Sequence, residues 1–299
     1  MSWSFAYFCI KAKVWSQRSV LFYQKNILFM NKPKIISILN ISPESFSDGW
    51  NATMHTYDTI GEHIAQWADI IDIGAQSTAP WAVDIGEEEE MKRLQSFFST
   101  KKIDSPLYPF AVDTRHASIA QYTIEQWAIM INDVSGWRHD PEMYTVIANN
   151  PTIHYVCMYA QHADGIAKPW TQSWNIIDTI IDFFDERIQA MKADGIQDNQ
   201  IILDPGMGAF VSDDYHDSVC ILQHISSLKS YFPYPLYICP SRKWFLKHIS
   251  PDSWPQDRVW SSLASSLYAL EQGADYIRIH DFHIFRQLST TRSYLQKSQ

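Results

Sequence analysis

"KIISILNISPESFSDGW", residues 34 to 50, decides how the chain is read. It opens as an apolar run of strand character, stops at Asn40, and continues as Ser, Pro, Glu, Ser, Phe, Ser, Asp and Gly. Near-continuous Ile and Leu, rather than strict alternation, is the mark of a strand buried on both faces. Such a strand leaves its sheet through a polar, turn-forming segment only where that segment lies over water or over a site, and Gly49 permits a tight turn there.

The same event recurs along the chain. After "KIISIL" (34 to 39) come "DIIDIG" (69 to 74), "YPFAVD" (108 to 113), "AIMIND" (128 to 133), "IHYVCM" (153 to 158), "QIILDPG" (200 to 206), "YPLYIC" (234 to 239) and "DYIRIH" (275 to 280). Between them, stretches such as 87 to 99, 175 to 193 and 259 to 272 carry apolar residues at three- and four-residue spacing, the pattern of amphipathic helices. Eight strands alternating with helices over this length predict a (β/α)8 TIM barrel, a single domain over 34 to 299 behind an N-terminal extension at 1 to 33. An open Rossmann-like sheet is the alternative, but no GxGxxG or GxxxxGK[ST] follows the first strand.

Composition narrows the function. A chain of 299 residues with 46% hydrophobic content can bury a substantial core, and a formal charge of -9 without a basic block disfavours a nucleic-acid partner. The cysteines, Cys9, Cys157, Cys220 and Cys239, form no CxxC pair and no Cys/His cluster of the kind that holds zinc. No apolar stretch reaches the roughly 18 residues that span a membrane, so the expectation is a cytoplasmic protein with no membrane partner. Residues 1 to 33 contain no Asp or Glu but include Lys11, Lys13, Arg18, Lys25 and Lys32. That composition suits an organellar transit segment, or an extension upstream of a start at Met30, and it stays outside the fold argument.

A barrel places its chemistry where its strands end. These strands end in or just before Asn40, Asp72 with Gly74, Asp113, Asn132 with Asp133, Met158, Asp204, Ser241 with Arg242 and Lys243, and Arg278 with His280. Any one polar residue there is more often a helix cap or turn former. The inference to a shared polar pocket rests on the set.

Those residues carry a resemblance. "ILNISPESFSDG" resembles the LNVTPDSFSDG signature of the dihydropteroate synthase family, and "DIIDIGAQSTAP" resembles its DIIDIGGESTRPG. "VDTRHASIA", "INDVSG", "IILDPGMG", "SRKWFL" and "IRIHD" are similar to its later blocks, in the same order, over about residues 34 to 290. Pterin-binding methyltransferases share the fold, but the first signature together with SRK points to the synthase branch. The resemblance implies condensation of a dihydropterin pyrophosphate with p-aminobenzoate, which releases pyrophosphate.

It also implies roles. Asp204 would accept the paired N–H donors of the pterin's amino-pyrimidine edge, with Asp113, Asn132 and Met158 beside it. Lys243 would donate to the pterin carbonyl or ring nitrogen; an exposed lysine after a strand is the bland reading, weakened because Ser241 and Arg242 match as well. Arg278 and His280 match the family's anion-binding pair and, alternating along the last strand, face one side. Ser77, Thr78, Pro80 and Arg242 would contact substrate. Asn40 matches the residue that helps hold Mg2+ on the pyrophosphate, and the late helices would form a homodimer face.

The pattern breaks in two places. Ala79 stands where the family has arginine and Trp81 where it has glycine, and "DPGMGAFVS" replaces DPGIGFGK, with Ala209, Phe210 and Val211 removing a glycine and a lysine. Exchanging a five-donor cation for a methyl group is not conservative. A working synthase and a non-catalytic or repurposed pterin-binding paralogue are therefore both open at this point.

Overall fold

The computed structural model describes residues 33–41, 64–76, 83–100, 108–165, 175–250 and 257–297. The expected extension at 1–33 thus lies, apart from Pro33, outside the described residues. The strands are β1 (Lys34–Asn40), β2 (Ile70–Gly74), β3 (Phe110–Asp113), β4 (Met130–Asp133), β5 (His154–Met158), β6 (Ile201–Asp204), β7 (Tyr237–Ile238) and β8 (Tyr276–Ile279). The helices are α1 (Gly86–Phe98), α2 (Ala117–Glu125), α3 (Met143–Ala148), α4 (Ile176–Ala193), α5 (Tyr215–Gln223), α6 (Ile225–Tyr231), α7 (Leu246–Ile249), α8 (Val259–Glu271) and α9 (Phe282–Lys297).

All strand pairs are parallel, in the order β6-β5-β4-β3-β2-β1-β8-β7. A parallel bridge between Leu203 and Leu236, with the Leu203 amide donating to the Pro235 carbonyl at 2.9 Å, joins the two ends of that sheet. The chain therefore forms the (β/α)8 barrel its spacing predicts.

Most strands are shorter than their apolar runs, and two of them show why. The run at 234 to 239 yields only Tyr237–Ile238, because Pro235 and Pro240 bracket it and proline has no N–H for the ladder. The run at 128 to 133 pairs only from Met130, since Trp127 takes a left-handed φ of 78° and the Ala128 amide still donates to Thr123 at 2.9 Å in the turn leaving α2.

Side-chain parity then fixes what faces inward. Along each strand every second residue points into the barrel, and the register pairs Ile36 with Ile70, Ala111 with Met130, Val156 with Ile202 and Tyr237 with Tyr276. These residues form one buried apolar cluster, the barrel's lower filling. Two residues further along, the same inward parity delivers Asp72, Asp113, Asn132, Met158, Asp204, Cys239 and Arg278. The polar layer sits directly above the apolar one, at the end where the strands leave the sheet.

Outward residues such as Ile35, Ile71, Ile73, Val112, Ile131 and Leu203 pack under the helices in the main core. Helix α4 shows why these segments are helical. Asn175 Oδ1 caps its first turn by accepting from the Ile177 amide at 3.1 Å, Asp178 lies in its first turn and Lys192 in its last. Ile177, Ile180, Phe184, Ile188 and Met191 form its buried stripe. Among the described residues no helix is long and apolar enough to cross a membrane.

Candidate active site

One cavity of about 30 Å³ opens above the apolar filling. Its polar walls are Asn132, Asp204, Lys243 and Arg278, and its apolar walls are Val134, Met158, Met207, Phe210 and Cys239. Phe210 and Lys243 both belong to its lining. Lys243 Nζ lies 4.4 Å from the centroid of the Phe210 ring, a cation–π contact.

Several polar groups here are left short of partners. Asp204 Oδ1 accepts from the Gly206 amide at 2.8 Å, and no other side-chain hydrogen bond of Asp204 is made among the described residues. Asn132 Nδ2 donates to Asp72 Oδ2 at 3.2 Å, whereas Asn132 Oδ1 is buried without a partner. A buried, unfilled acceptor beside a buried carboxylate is costly unless something else supplies the donors. Gly206 is required for this arrangement: its φ is 68°, and a Cβ there would fall 2.2 Å from the Tyr159 carbonyl oxygen.

Electrostatics follow from burial and from one cation shared by two acids. Arg278 Nε is 2.7 Å from Asp72 Oδ2, and Arg278 Nη2 donates to Asp113 Oδ2 at 2.8 Å. Burial would lower the guanidinium, but Asp72 and Asp113 hold it charged. Burial raises the Asp113 carboxyl, with Arg278 pulling it down and Asp72 pushing it up. Burial likewise pushes Asp204 up to about 6, opposed by the Gly206 amide, Lys243 and Arg278. The Lys243 ammonium is lowered by burial first, with Arg278 adding to the effect.

His280 stands just outside the cavity wall. Ser241 Oγ accepts from the His280 amide at 3.1 Å and lies 2.9 Å from its Nδ1. Burial, then Arg242, Arg278 and Lys243, hold the imidazole well below its usual range, so it is neutral at pH 7 and offers a directed N–H rather than a cation. Arg242 takes a left-handed φ of 54° and pairs with Asp281 at 3.1 Å.

Asn40 ends β1, and its side chain makes no hydrogen bond among the described residues. Gly74 opposite leaves it room: a Cβ there would come 3.3 Å from Asn40 Oδ1. Among the described residues no group of three or more His, Cys, Asp and Glu could hold a metal ion. Asn40 offers one amide oxygen, so a Mg2+ held there would draw the rest of its shell from water and substrate phosphates. Ser77, Thr78 and Pro80, with Ala79 and Trp81, lie outside the described residues, as does the polar loop from 42 to 50.

Comparison with known proteins now bears on this geometry. A sequence model of the pterin binding enzymes matches residues 36–280. The type-3 dihydropteroate synthase of Escherichia coli is 33% identical over 252 residues, covering 83% of this chain and 94% of that protein. The chain belongs to the dihydropteroate synthase family. A solved dihydropteroate synthase of Xanthomonas albilineans with 4-aminobenzoic acid superimposes with a TM-score of 0.77 at 28% identity, covering 89% of this chain and 94% of that one. The same synthase in complex with 7,8-dihydropteroate gives a TM-score of 0.75 at 27% identity, over 89% and 94% of the two chains.

Against this dihydropteroate synthase framework, Asn132, Met158, Asp204, Lys243 and Arg278 come together at one cavity, and Asp113 joins them through Arg278. Sequence reasoning placed Asp72 among the strand ends but gave it no role, and it missed Tyr237 and the cavity residues Val134, Met207, Phe210 and Cys239. Asp72 had a signal, a carboxylate inside the apolar run "DIIDIG" two residues short of its end. The Tyr237 hydroxyl, which donates to Asp72 Oδ2 at 3.4 Å, had none, since a tyrosine in a buried strand reads as core.

Proposed function

We infer that this protein is a working dihydropteroate synthase, a transferase of folate biosynthesis. It joins 6-hydroxymethyl-7,8-dihydropterin pyrophosphate to p-aminobenzoate, giving dihydropteroate and pyrophosphate. The observation that carries the reading is the convergence of Asp204, Asn132 and Lys243 on one buried cavity, with the Asn132 carbonyl oxygen unsatisfied. A pterin's amino-pyrimidine edge supplies adjacent N–H donors, which the Asp204 carboxylate and Asn132 Oδ1 can accept. Lys243 then donates to the pterin carbonyl or ring nitrogen.

In the reaction the aryl amine's lone pair forms the new C–N bond at the pterin methylene as the C–O bond to pyrophosphate breaks, and the nitrogen gives up one proton. The bonding pair leaves on the pyrophosphate, so stabilising that charge is the main demand on the site. Arg278, kept charged by Asp72 and Asp113, and the neutral His280 N–H stand at the end of β8 to meet it. Asn40 would hold Mg2+, which when bound supplies further neutralisation of the pyrophosphate. Arg242 supports the Lys243 turn through its pair with Asp281. Ser77, Thr78 and Pro80 are assigned to the p-aminobenzoate side from the sequence. The protein works in the cytoplasm, as a homodimer through α8 and α9.

A repurposed pterin-binding paralogue is the second reading, favoured only by Ala79 and Trp81 in the second loop. Steady-state formation of dihydropteroate separates the two. Measurable turnover with p-aminobenzoate, rising on the order of a hundredfold in Ala79→Arg, supports a synthase slowed by loss of one transition-state contact. Tight pterin binding without turnover in either form would establish the paralogue.

A further inference from the structure

Above the cavity, the segments leaving β2, β3 and β5 are joined through one guanidinium. Arg115 follows Asp113 and Thr114 out of β3 and is 5% exposed. Its Nη2 donates to Asp84 Oδ2 at 2.5 Å, and its Nη1 donates to the main-chain carbonyl of Asp164, beyond β5, at 2.6 Å. The other Asp84 oxygen accepts from Gln76 Nε2 and from the Gly86 amide, each at 3.0 Å. Gln76 lies two residues past the end of β2 and Asp84 two before α1, so Asp84 ties the two ends of the second βα connection to each other.

The connection reaches the cavity wall. Gly165, next to Asp164, has a φ of 66°, and a Cβ there would lie 2.9 Å from the Ser135 amide nitrogen and 3.0 Å from Val134 Cγ2. Val134 lines the cavity. The backbone beside Asp164 thus packs closely on the cavity wall at Val134 and Ser135. Burial alone would raise the Asp84 carboxyl, but the Gly86 amide, Gln76 and Arg115 outweigh it and hold it low.

An ordinary surface ion pair at a half-exposed carboxylate contributes little to stability. This one differs in its other partners: a buried guanidinium divides its donors between two loops at the catalytic end of the barrel. We propose that Arg115 and Asp84 are positioning residues that set the mouth of the cavity for the second substrate, the aryl amine. The inference rests on the site reading above. There the pterin occupies the floor against Asn132, Asp204 and Lys243, so the amine must arrive from the strand-end side, where Arg115, Asp84 and Asp164 lie. A displacement of about 1 Å in such a frame costs up to a hundredfold in reaction rate.

The test is steady-state kinetics on the full chain for Asp84→Asn, Arg115→Lys, Arg115→Met and the double variant Asp84→Asn with Arg115→Met, alongside calorimetry with dihydropterin pyrophosphate. Asp84→Asn, at a residue 44% exposed on its side chain, keeps the test alive if Arg115→Met fails to fold. The expected result is a KM for p-aminobenzoate raised about tenfold, with pterin affinity unchanged. Arg115→Lys should recover part of the loss, and the double variant should be no worse than the worse single, because both act through one contact. Unchanged KM in folded variants, equal losses for both substrates, or additive losses would overturn the proposal. A wild type that makes no dihydropteroate would overturn the site reading and the inference together, whereas an active wild type with indifferent variants overturns the inference alone.

Discussion

At Asp204 one carboxylate has to be both buried and charged for a pterin to bind. Burial holds its pKa up to about 6, so ionisation is incomplete at mildly acidic pH. The proton competes with the pterin's N–H donors for the same oxygens. Pterin affinity should therefore be flat above pH 7 and fall below pH 6, approaching about tenfold per pH unit. Asp204→Asn should remove that dependence and weaken binding on the order of 30- to 100-fold, the scale of losing charge-assisted hydrogen bonds. Calorimetric titration across pH checks both, and a folded Asp204→Asn with wild-type affinity would remove the proposed anchor. Asp204 and Asn132 were legible in the sequence because each lies at the end of a strand, where topology aims it at the site, whereas Lys243, five residues past β7, was legible through the SRK block that carries it. The role of Asp72 was not, because it comes from Arg278, a partner 206 positions away that only barrel closure brings to 2.7 Å.

Helix α1 begins "GEEEEMKRLQSFF", and its acids do not share one fate. Glu87, Glu88 and Glu89 lie in the first turn, where unpaired amides favour negative charge. Glu90 turns inward with Leu94 and Phe98 and is 2% exposed, its Oε2 3.8 Å from His116 Nε2. Burial first, then Asp113 and Asp84, raise its carboxyl from 4.5 to about 7, against Thr114 and Arg115. The folded state binds this proton more tightly than the unfolded chain, so the acid costs stability as pH climbs from 4.5 to about 7, and the cost is constant above that. The limit of that cost is about 3 kcal/mol. Glu90→Gln should accordingly be more stable than wild type at pH 8, by up to that amount, and nearly equal to it at pH 4.5. Denaturant unfolding at the two pH values measures this, and a variant equally affected at both would show that Glu90 acts through packing. The element boundaries carry a similar lesson: the apolar run "YPLYIC" was readable, but its pairing was cut to Tyr237–Ile238 by prolines whose effect depends on which neighbours need an N–H.

For the molecule as a whole, the barrel was legible because the same short motif recurs, each run apolar and each exit polar, and closure follows once the strands twist together. Which helix residues stay exposed was less so, since an apolar residue on a helix reads equally as core or as surface until the helix is docked. Docking leaves Trp260 on α8 at 73% exposed, and Tyr294 and Leu295 on α9 at 75% and 69%. Arg292 Nε pairs with Glu271 Oε1 at 3.0 Å, so the end of α8 lies against α9. Large exposed apolar side chains are what a partner surface requires, and the homodimer proposed above would cover them with a second copy under two-fold symmetry. Buried aromatics at such an interface are each worth about 2 kcal/mol or more, equivalent to about 30-fold in dimer affinity. Trp260→Glu combined with Tyr294→Glu should then convert a dimer at micromolar concentration into a monomer in sedimentation velocity. Dihydropteroate formation should survive in the variant, because these helix faces lie away from the strand ends that hold Asp204 and Lys243. A wild type that sediments as a monomer at tens of micromolar, or a double variant that still dimerises, would place the contact elsewhere.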